Sequence, residues 1–113
     1  MIVLAQPEPD VEAPQHMRSA TRFPVRIDIE LALAGGSLRG ITRNLSLGGV
    51  FIDSPLVIAR DTRVLVRLAV PSEVEALEVG GVVRWTESGG FGVRFNNLRA
   101  RDVWALGKFL EDL

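Results

Sequence analysis

The sequence predicts a mainly β domain of about six short antiparallel strands followed by one α-helix. Apolar and polar residues alternate with a period of two in several segments, as they do in half-buried strands. Turn signals rich in Gly, Pro and Ser separate these segments, and the final segment changes to helical spacing. Closely spaced antiparallel strands favour a barrel or a strongly curled sheet, because such a sheet leaves few exposed edges.

The first three predicted strands lie between residues 23 and 52. In the first strand, one face carries Phe23, Val25, Ile27, Ile29, Leu31 and Leu33, and the other carries Pro24, Arg26, Asp28 and Glu30. The letters AGG at 34–36 predict a turn into a second strand over 37–44. The run LSLGG interrupts the pattern, and a third strand resumes over 50–52.

The next three predicted strands follow a loop, SPLVIARDT, at 54–62. The segment 63–70 alternates, and its inward residues are Val64, Val66, Leu68 and Val70. After the turn PSE, one face of the fifth strand carries Leu77, Val79, Gly81, Val83 and Trp85. The letters ESGG at 87–90 predict a hairpin, and one face of the sixth strand carries Phe91, Val93 and Phe95.

The last segment predicts a helix, since helical spacing relates Val103, Leu106, Leu110 and Leu113. Such a helix either caps an open end of the sheet or offers a surface to a partner. A chain of 113 residues without an internal repeat or a long linker fits one domain, which we place at 17–113. Residues 1–16 are rich in proline and acidic residues and predict a flexible tail, with docking of the apolar run at 2–4 as the alternative.

The composition gives little support to an enzyme or a metal protein. The chain has no cysteine, which excludes disulfides and thiolate chemistry, and its single histidine, His16, argues against His-rich metal sites and catalytic triads. The glycine-rich runs AGGSLRG and SGGFG lack the lysine and the following helix of a phosphate-binding loop. We therefore expect no catalytic residue, no metal and no cofactor.

Charge and hydropathy argue against two further kinds of partner. The net charge is −1, and most aromatic residues are expected on inward strand faces, which disfavours a nucleic-acid-binding barrel. The start MIVLAQPEPD is too short and too soon acidic for a signal peptide, and no apolar run reaches membrane-spanning length. Together with the absence of cysteine, this predicts a cytoplasmic protein without membrane insertion.

Two polar clusters form a candidate binding site. Arg18 and Arg22 lie four positions apart just before the first strand, and NLSLGG, from Asn44 to Gly49, follows the second strand. An arginine can donate two hydrogen bonds to the edge of guanine or pair with a phosphate. Asn44 can accept from a guanine N–H and Ser46 adds a hydroxyl, while Gly49 permits a backbone bend.

The same residues also have a simpler interpretation. Arginines four positions apart are usually solvated, and an Asn-x-Ser segment is usually a turn at a strand end. Between residues 16 and 43, however, five arginines stand against two acidic residues, and this local charge of +3 suits a small dianionic ligand. The combination and order of the two motifs, rather than either motif alone, indicates a binding site.

In this combination the chain resembles the PilZ domain family, bacterial receptor modules for cyclic di-GMP. The family pattern is RxxxR followed by D/N-x-S-x-x-G, and this chain has RSATR at 18–22 and NLSLGG at 44–49. The later segments GGVFIDSP, GGVVRWTESGGFGVRF and LGKFLEDL are similar to the family's later strands and terminal helix. The resemblance covers residues 17–113.

The resemblance implies a six-stranded antiparallel β-barrel with a C-terminal α-helix that binds cyclic di-GMP. The ligand-binding residues that it implies are Arg18, Arg22, Asn44, Ser46, Gly49 and Trp85. In this arrangement the arginines grip guanine and phosphate, the Asn-x-Ser segment reads a guanine, and the glycine shapes the turn. The indole of Trp85 either stacks on a base or is a core side chain in line with Val79 and Val83.

The implied function is that of a receptor in motility or biofilm regulation. The ligand orders the loop that carries the arginines, and the altered surface engages a protein partner or a second copy in a homodimer. The alternative is an adaptor in motility or secretion that docks without the ligand, although such relatives generally lack one or both motifs. Asn44 stands where many relatives have Asp, and Met17 where some have a further arginine, so the affinity and the number of bound ligands stay open.

Overall fold

Six strands close into a β-barrel in this computed structural model, which describes residues 21–71, 73–96 and 98–113. The strands are β1 (Asp28–Leu33), β2 (Gly36–Leu45), β3 (Gly49–Asp53), β4 (Arg63–Leu68), β5 (Leu77–Glu87) and β6 (Gly90–Phe95), and the helix α1 (Ala100–Glu111) follows them. Around the barrel the order is β1-β2-β3-β6-β5-β4, with every neighbouring pair antiparallel. The predicted fold class is confirmed, while the tail expected at 1–16 lies outside the described residues.

Alternate residues of the strands fill the barrel. Every strand contributes at least one fully buried apolar side chain, for example Leu31, Leu45, Ile52, Val66, Val79 and Phe91. Burial of a side chain of this size contributes about 1.5–3 kcal/mol to stability. Alternation predicts the inward residues of two strands, the fourth and the sixth, without error. All of them are buried, namely Val64, Val66, Leu68, Val70, Phe91, Val93 and Phe95.

The first strand begins later than the alternation predicts. Phe23 makes only an isolated pairing with Leu45, in which each backbone N–H donates to the other residue's carbonyl oxygen at 2.9 Å. The backbone N–H of Ile27 donates to the hydroxyl of Thr42 at 2.9 Å. Because this side chain takes the place of a neighbouring strand's backbone, the regular strand starts only at Asp28.

Two β-bulges reverse the alternation of inward and outward side chains. In β2, Thr42 pairs with Ile52 and Asn44 pairs with Phe51, so that Arg43 is an extra residue between the two pairs. In a regular strand Thr42 and Asn44 would share a face. Here Thr42 is fully buried and Asn44 is half-buried on the outside of the barrel, because the bulge turns it around.

The second bulge, at Arg84 in β5, corrects one prediction. Val83 pairs with Val93 and Trp85 pairs with Gly92, so the extra residue turns Trp85 to the outer face. Val83 is fully buried, whereas 39% of Trp85 is exposed. The alternative of a core tryptophan is therefore wrong, because strict alternation does not continue across a bulge.

The helix α1 packs its inner face on the barrel core. Ala105, Leu106 and Leu110 are buried and belong to the same apolar cluster as the barrel interior. Val103 and Leu113 were predicted for this face, but they are 42% and 59% exposed. The inner face is rotated away from Val103, and the helix ends before Leu113. Within the described ranges, no helix is long and apolar enough to cross a membrane.

An ionic row crosses three strands on the outside of the barrel. Arg67 in β4 lies 3.0 Å from a carboxylate oxygen of Glu30 in β1 and 2.7 Å from one of Glu78 in β5. The hydrogen bond with Glu78, more than the contact with Glu30, raises the pKa of Arg67. Each exposed pair contributes little by itself, but the row marks a face of the barrel away from β3 and β6.

Asp53→Asn should make the free energy of unfolding depend less on pH in acid. Arg26 and then Arg43 donate hydrogen bonds to the Asp53 carboxylate, at 3.0 and 2.8 Å, and lower its pKa below the usual value. The carboxylate therefore stabilises the fold above its unfolded-state pKa of about 3.9, and this contribution is lost as the pH falls through the lower folded-state pKa. Urea unfolding should show a wild-type advantage at neutral pH that shrinks in acid. An advantage independent of pH would contradict this assignment.

Candidate functional site

The pairing of a neighbouring residue holds Arg22 against Asn44. Phe23 pairs with Leu45, and Asn44 directly precedes Leu45 in β2. Antiparallel pairing puts Arg22 opposite Ser46, two positions from Asn44, and the long side chain of Arg22 spans this distance, so that Arg22 Nη1 donates a hydrogen bond to Asn44 Oδ1 at 2.8 Å. Two of the residues predicted to act together, 22 positions apart in the chain, are therefore in direct contact.

The indole of Trp85 forms a second side of the same site. The guanidinium carbon of Arg22 lies 5.5 Å from the centroid of the Trp85 ring, within the range of a cation–π interaction. Arg22 is exposed as a residue, yet the protein atoms around its guanidinium remove part of its water, and this desolvation lowers its pKa. An arginine remains charged even so, and the site therefore presents a cation between an amide and an indole.

A row of four paired residues forms the base of the site. Asn44 on β2 pairs with Phe51 on β3, Phe51 pairs with Gly92 on β6, and Gly92 pairs with Trp85 on β5. Directly paired residues point to the same face of a sheet, so the whole row lies on the outer surface of the barrel. The indole of Trp85 lies over Gly92, because a Cβ added to Gly92 would be only 2.7 Å from Trp85 Nε1.

Gly92→Ala should displace the indole of Trp85 while leaving the barrel folded. The added methyl group overlaps ring atoms at the free end of an exposed side chain, so the ring can swing outward at a cost of about 1 kcal/mol. In a Trp104→Phe background, Trp85 is the one remaining tryptophan, and its emission should shift to longer wavelength with stronger acrylamide quenching. Gly35→Ala, where an added Cβ has nothing within 4 Å, is the control. Unchanged emission from the Gly92 variant would contradict this packing.

Ser46 lies in the turn between β2 and β3, Gly49 is the first residue of β3, and both make contacts within the protein. Ser46 is buried, and its Oγ accepts hydrogen bonds from the N–H groups of Gly48 and Gly49 at 3.1 and 3.2 Å. Gly49 is buried against β6, where a Cβ would meet the carbonyl oxygen of Val93 and lie 3.3 Å from Arg94 Cα. Both residues shape the turn, and their contact with a ligand stays a prediction.

Sequence reasoning missed Arg43, which covers the outer face of Phe51 beside Asn44. Its guanidinium carbon lies 4.3 Å from the centroid of the Phe51 ring. It donates hydrogen bonds to Asp53 at 2.8 Å and to Glu87 at 2.9 Å, and these bonds, the one with Glu87 first, raise its pKa. Its place just before Asn44 is visible in the sequence, but the bulge that puts Asn44 on the same outer face is not.

Arg22 and Arg43, the two cations beside Asn44, differ in whether a carboxylate already pairs with them. Arg43 is neutralised by two carboxylates, whereas Arg22 has no acidic partner in the part of the chain that the structure describes. Its charge is therefore available to an anion. Arg18, the other arginine of the predicted pair, lies outside the described residues.

The arrangement suits a planar base that carries a phosphate. A guanidinium can bind phosphate or the edge of a base, an amide can both donate and accept, and an indole can stack on a ring. Among the residues described, no group of three or more His, Cys, Asp or Glu side chains could hold a metal ion. The side chains at the site can take part in stacking and in charged hydrogen bonds.

The family model that matches the chain is the PilZ domain, over residues 16–112. Among curated proteins, none matches the chain. The match begins before β1 and extends through α1, so it includes the whole barrel, both sequence motifs and the site.

Solved structures share the fold. The inhibitor of motility MotI/DgrA from Bacillus subtilis has a TM-score of 0.71 at 19% identity, and the match covers 84% of this chain and 50% of that one. The PilZ domain of Escherichia coli YcgR with c-di-GMP has a TM-score of 0.70 at 15% identity, covering 85% and 90%. The PilZ domain of CeSA from a cellulose-synthesising bacterium has a TM-score of 0.64 at 21% identity, covering 81% and 96%. The chain thus corresponds to about half of MotI and to most of the two isolated domains.

Proposed function

Because the chain belongs to the PilZ domain family, we propose that it is a receptor that binds cyclic di-GMP on the outer face of its barrel and signals to a protein partner. The observation that carries this proposal is the convergence of Arg22, Asn44 and Trp85 at one place on that face. The similar domain of YcgR, which was solved with c-di-GMP, supports the choice of ligand. The protein acts by binding and not by catalysis.

Each residue of the site has a distinct role in this proposal. Arg22 donates to the O6 and N7 edge of a guanine or to the phosphate beside it. Asn44 Oδ1 accepts from a guanine N–H, and the Trp85 indole stacks on a base. Arg18 supplies a second guanidinium, while Ser46 and Gly49 hold the turn that follows Asn44, with the Ser46 hydroxyl as a further contact to guanine.

In the proposed complex, guanine binds an oxygen that already accepts a hydrogen bond. Asn44 Oδ1 accepts a hydrogen bond from Arg22 at 2.8 Å, so a guanine N–H that uses the same oxygen either shares it with Arg22 or displaces Arg22. When Arg22 turns to the ligand, the segment that carries it moves, and the surface offered to a partner changes with it. The ligand favours that arrangement because it contacts Arg22 better there, and this differential affinity is the proposed signal.

Isothermal titration of the full chain with cyclic di-GMP tests the proposal. We expect saturable binding in the micromolar range, and the titration also counts one or two ligands per chain. Cyclic di-AMP is the matched comparison, because adenine has an amino group where guanine has O6 and lacks the N1–H that Asn44 accepts from. No binding of cyclic di-GMP would contradict the receptor function and leave the ligand-independent adaptor.

Asn44→Asp should raise the affinity for cyclic di-GMP about tenfold. A carboxylate has two oxygens, so one can keep the hydrogen bond from Arg22 while the other accepts from guanine, whereas the amide has one oxygen for both. Hydrogen bonds to a charged acceptor are also stronger, and about 1.4 kcal/mol corresponds to this tenfold change. Asn96→Asp makes the same change at an exposed residue outside the site and should leave the affinity unchanged. Equal affinities of wild type and the Asn44 variant would contradict the role of Asn44 as an acceptor.

A further inference from the structure

The outward face of α1 exposes a large aromatic side chain between opposite charges. This face carries Arg101, Trp104, Gly107, Lys108 and Glu111. Trp104 is 64% exposed, more than any other aromatic side chain in the described part of the chain. Burial of an indole removes a large apolar area from water, so an exposed one on a rigid helix marks a surface for a partner.

The charges at the two ends of this face do not serve the helix itself. Arg101 lies in the first turn and Glu111 in the last, and neither forms an ion pair among the described residues. The helix dipole favours acidic residues at the first turn and basic residues at the last, so both charges are placed against it. Since they do not stabilise the isolated helix, another contact is the better explanation for their positions.

The spacing of these residues is self-complementary. When two copies of α1 pack antiparallel with their midpoints together at residue 106, position 101 of one copy faces position 111 of the other, and 104 faces 108. Arg101 then meets Glu111 of the second copy, and Trp104 meets Lys108, a cation–π pair. Each contact occurs twice, as a two-fold interface requires. Gly107 lies beside Trp104 on this face and leaves room for the partner's indole.

We propose that the chain forms a homodimer through this face of α1, with the two helices antiparallel. A helix of 12 residues is about 18 Å long, so the interface is small and the dimer is weak and reversible. Leu47, which is 38% exposed, lies near the face, because a Cβ on Gly107 would be 4.0 Å from Leu47 Cδ2. The dimer contact therefore borders the turn between β2 and β3.

Sedimentation equilibrium of the full chain without ligand, over micromolar to millimolar concentrations, tests this proposal independently of cyclic di-GMP binding. The wild type should change from monomer to dimer with concentration, and Trp104→Ala should stay monomeric. Arg101→Glu and Glu111→Arg should each weaken the dimer about tenfold, because each change puts like charges together twice. The double variant R101E/E111R should recover the dimer, since it restores opposite charges across the two-fold axis.

The charge variants separate dimerisation from folding. Each places a charge in the orientation that the helix dipole favours, so their helical content and melting temperature should be at least those of the wild type. Arg63→Glu, an exposed arginine on β4, is the control and should dimerise normally. A wild type that is monomeric at every concentration, or a double variant that dimerises no better than the single ones, would overturn the proposal.

Discussion

Arg22→Ala should lower the affinity for cyclic di-GMP by a factor of about one hundred. Arg22 is the cation of the site without an acidic partner in the described part of the chain, and its guanidinium lies between Asn44 and Trp85. Hydrogen bonds to charged groups contribute about 1.5–3 kcal/mol each, and loss of one or two of them corresponds to this factor. Isothermal titration measures the change, and thermal unfolding should show the variant folded, because Arg22 is exposed.

Arg39→Ala is the matched control for this prediction. Arg39 is an exposed arginine of the same strand as Asn44, five residues away and therefore about 17 Å along β2. The Arg39→Ala substitution removes the same charge from the chain without changing the site. The affinity of this variant for cyclic di-GMP should therefore equal that of wild type. Similar losses in both variants would mean that general charge attraction, and not the geometry at Arg22, drives binding.

Gly49→Ala should destabilise the fold by about 2–3 kcal/mol. Gly49 pairs with Arg94 where β3 meets β6, and a Cβ there would meet the carbonyl oxygen of Val93. These are backbone atoms of β6, which is paired with a strand on both sides, and they have no free end that could move aside. The two strands must therefore separate, at a cost typical of overpacking. Urea unfolding measures the loss, and ligand binding should weaken as well, because the turn that carries Ser46 shifts.

Gly35→Ala is again the appropriate control, since an added Cβ at that exposed turn has nothing within 4 Å. It should change the free energy of unfolding by less than about 1 kcal/mol. If Gly49→Ala lost ligand binding but kept the full stability of wild type, Gly49 would act through direct contact with the ligand and not through strand packing.

Much of the barrel could be predicted because its signals are local. Alternation identified the inward faces of β4 and β6, and short glycine-containing runs identified the turns at 34–35 and 88–89. Gly89 has a φ of 87°, a left-handed conformation that favours glycine, so the letters ESGG carried direct information about the hairpin. The boundary of β1 was less accessible, because it depends on a hydrogen bond from Ile27 to the side chain of Thr42.

The outward orientation of the site could not be predicted in the same way. In a regular strand, residues two positions apart share a face, so Asn44 would point the same way as Thr42, and Trp85 the same way as Val83. Thr42 and Val83 are both fully buried. Each bulge depends on the register between a strand and its neighbour, and the sequence of one strand does not contain this information. The residue types of the site were therefore found from the motifs and the family resemblance, while the bulges that bring Asn44 and Trp85 to one surface required the structure.

The role of Gly92, like the two bulges, could not be predicted from the sequence. It alternates with Phe91 and Val93 and looks like an ordinary outward strand residue, but its lack of a side chain is what lets the indole of Trp85 lie against β6. That requirement involves two strands, so it becomes visible only when β5 and β6 are paired.

The most direct test of the account is a two-dimensional ¹H–¹⁵N NMR titration of the full chain with cyclic di-GMP. We expect the largest shifts at the Trp85 indole N–H, the Asn44 side-chain amide and the Arg22 backbone. The ionic row of Glu30, Arg67 and Glu78, on a different face, should not change. Saturable binding with the Trp85 and Asn44 signals unmoved, or with shifts centred on that ionic row, would contradict it.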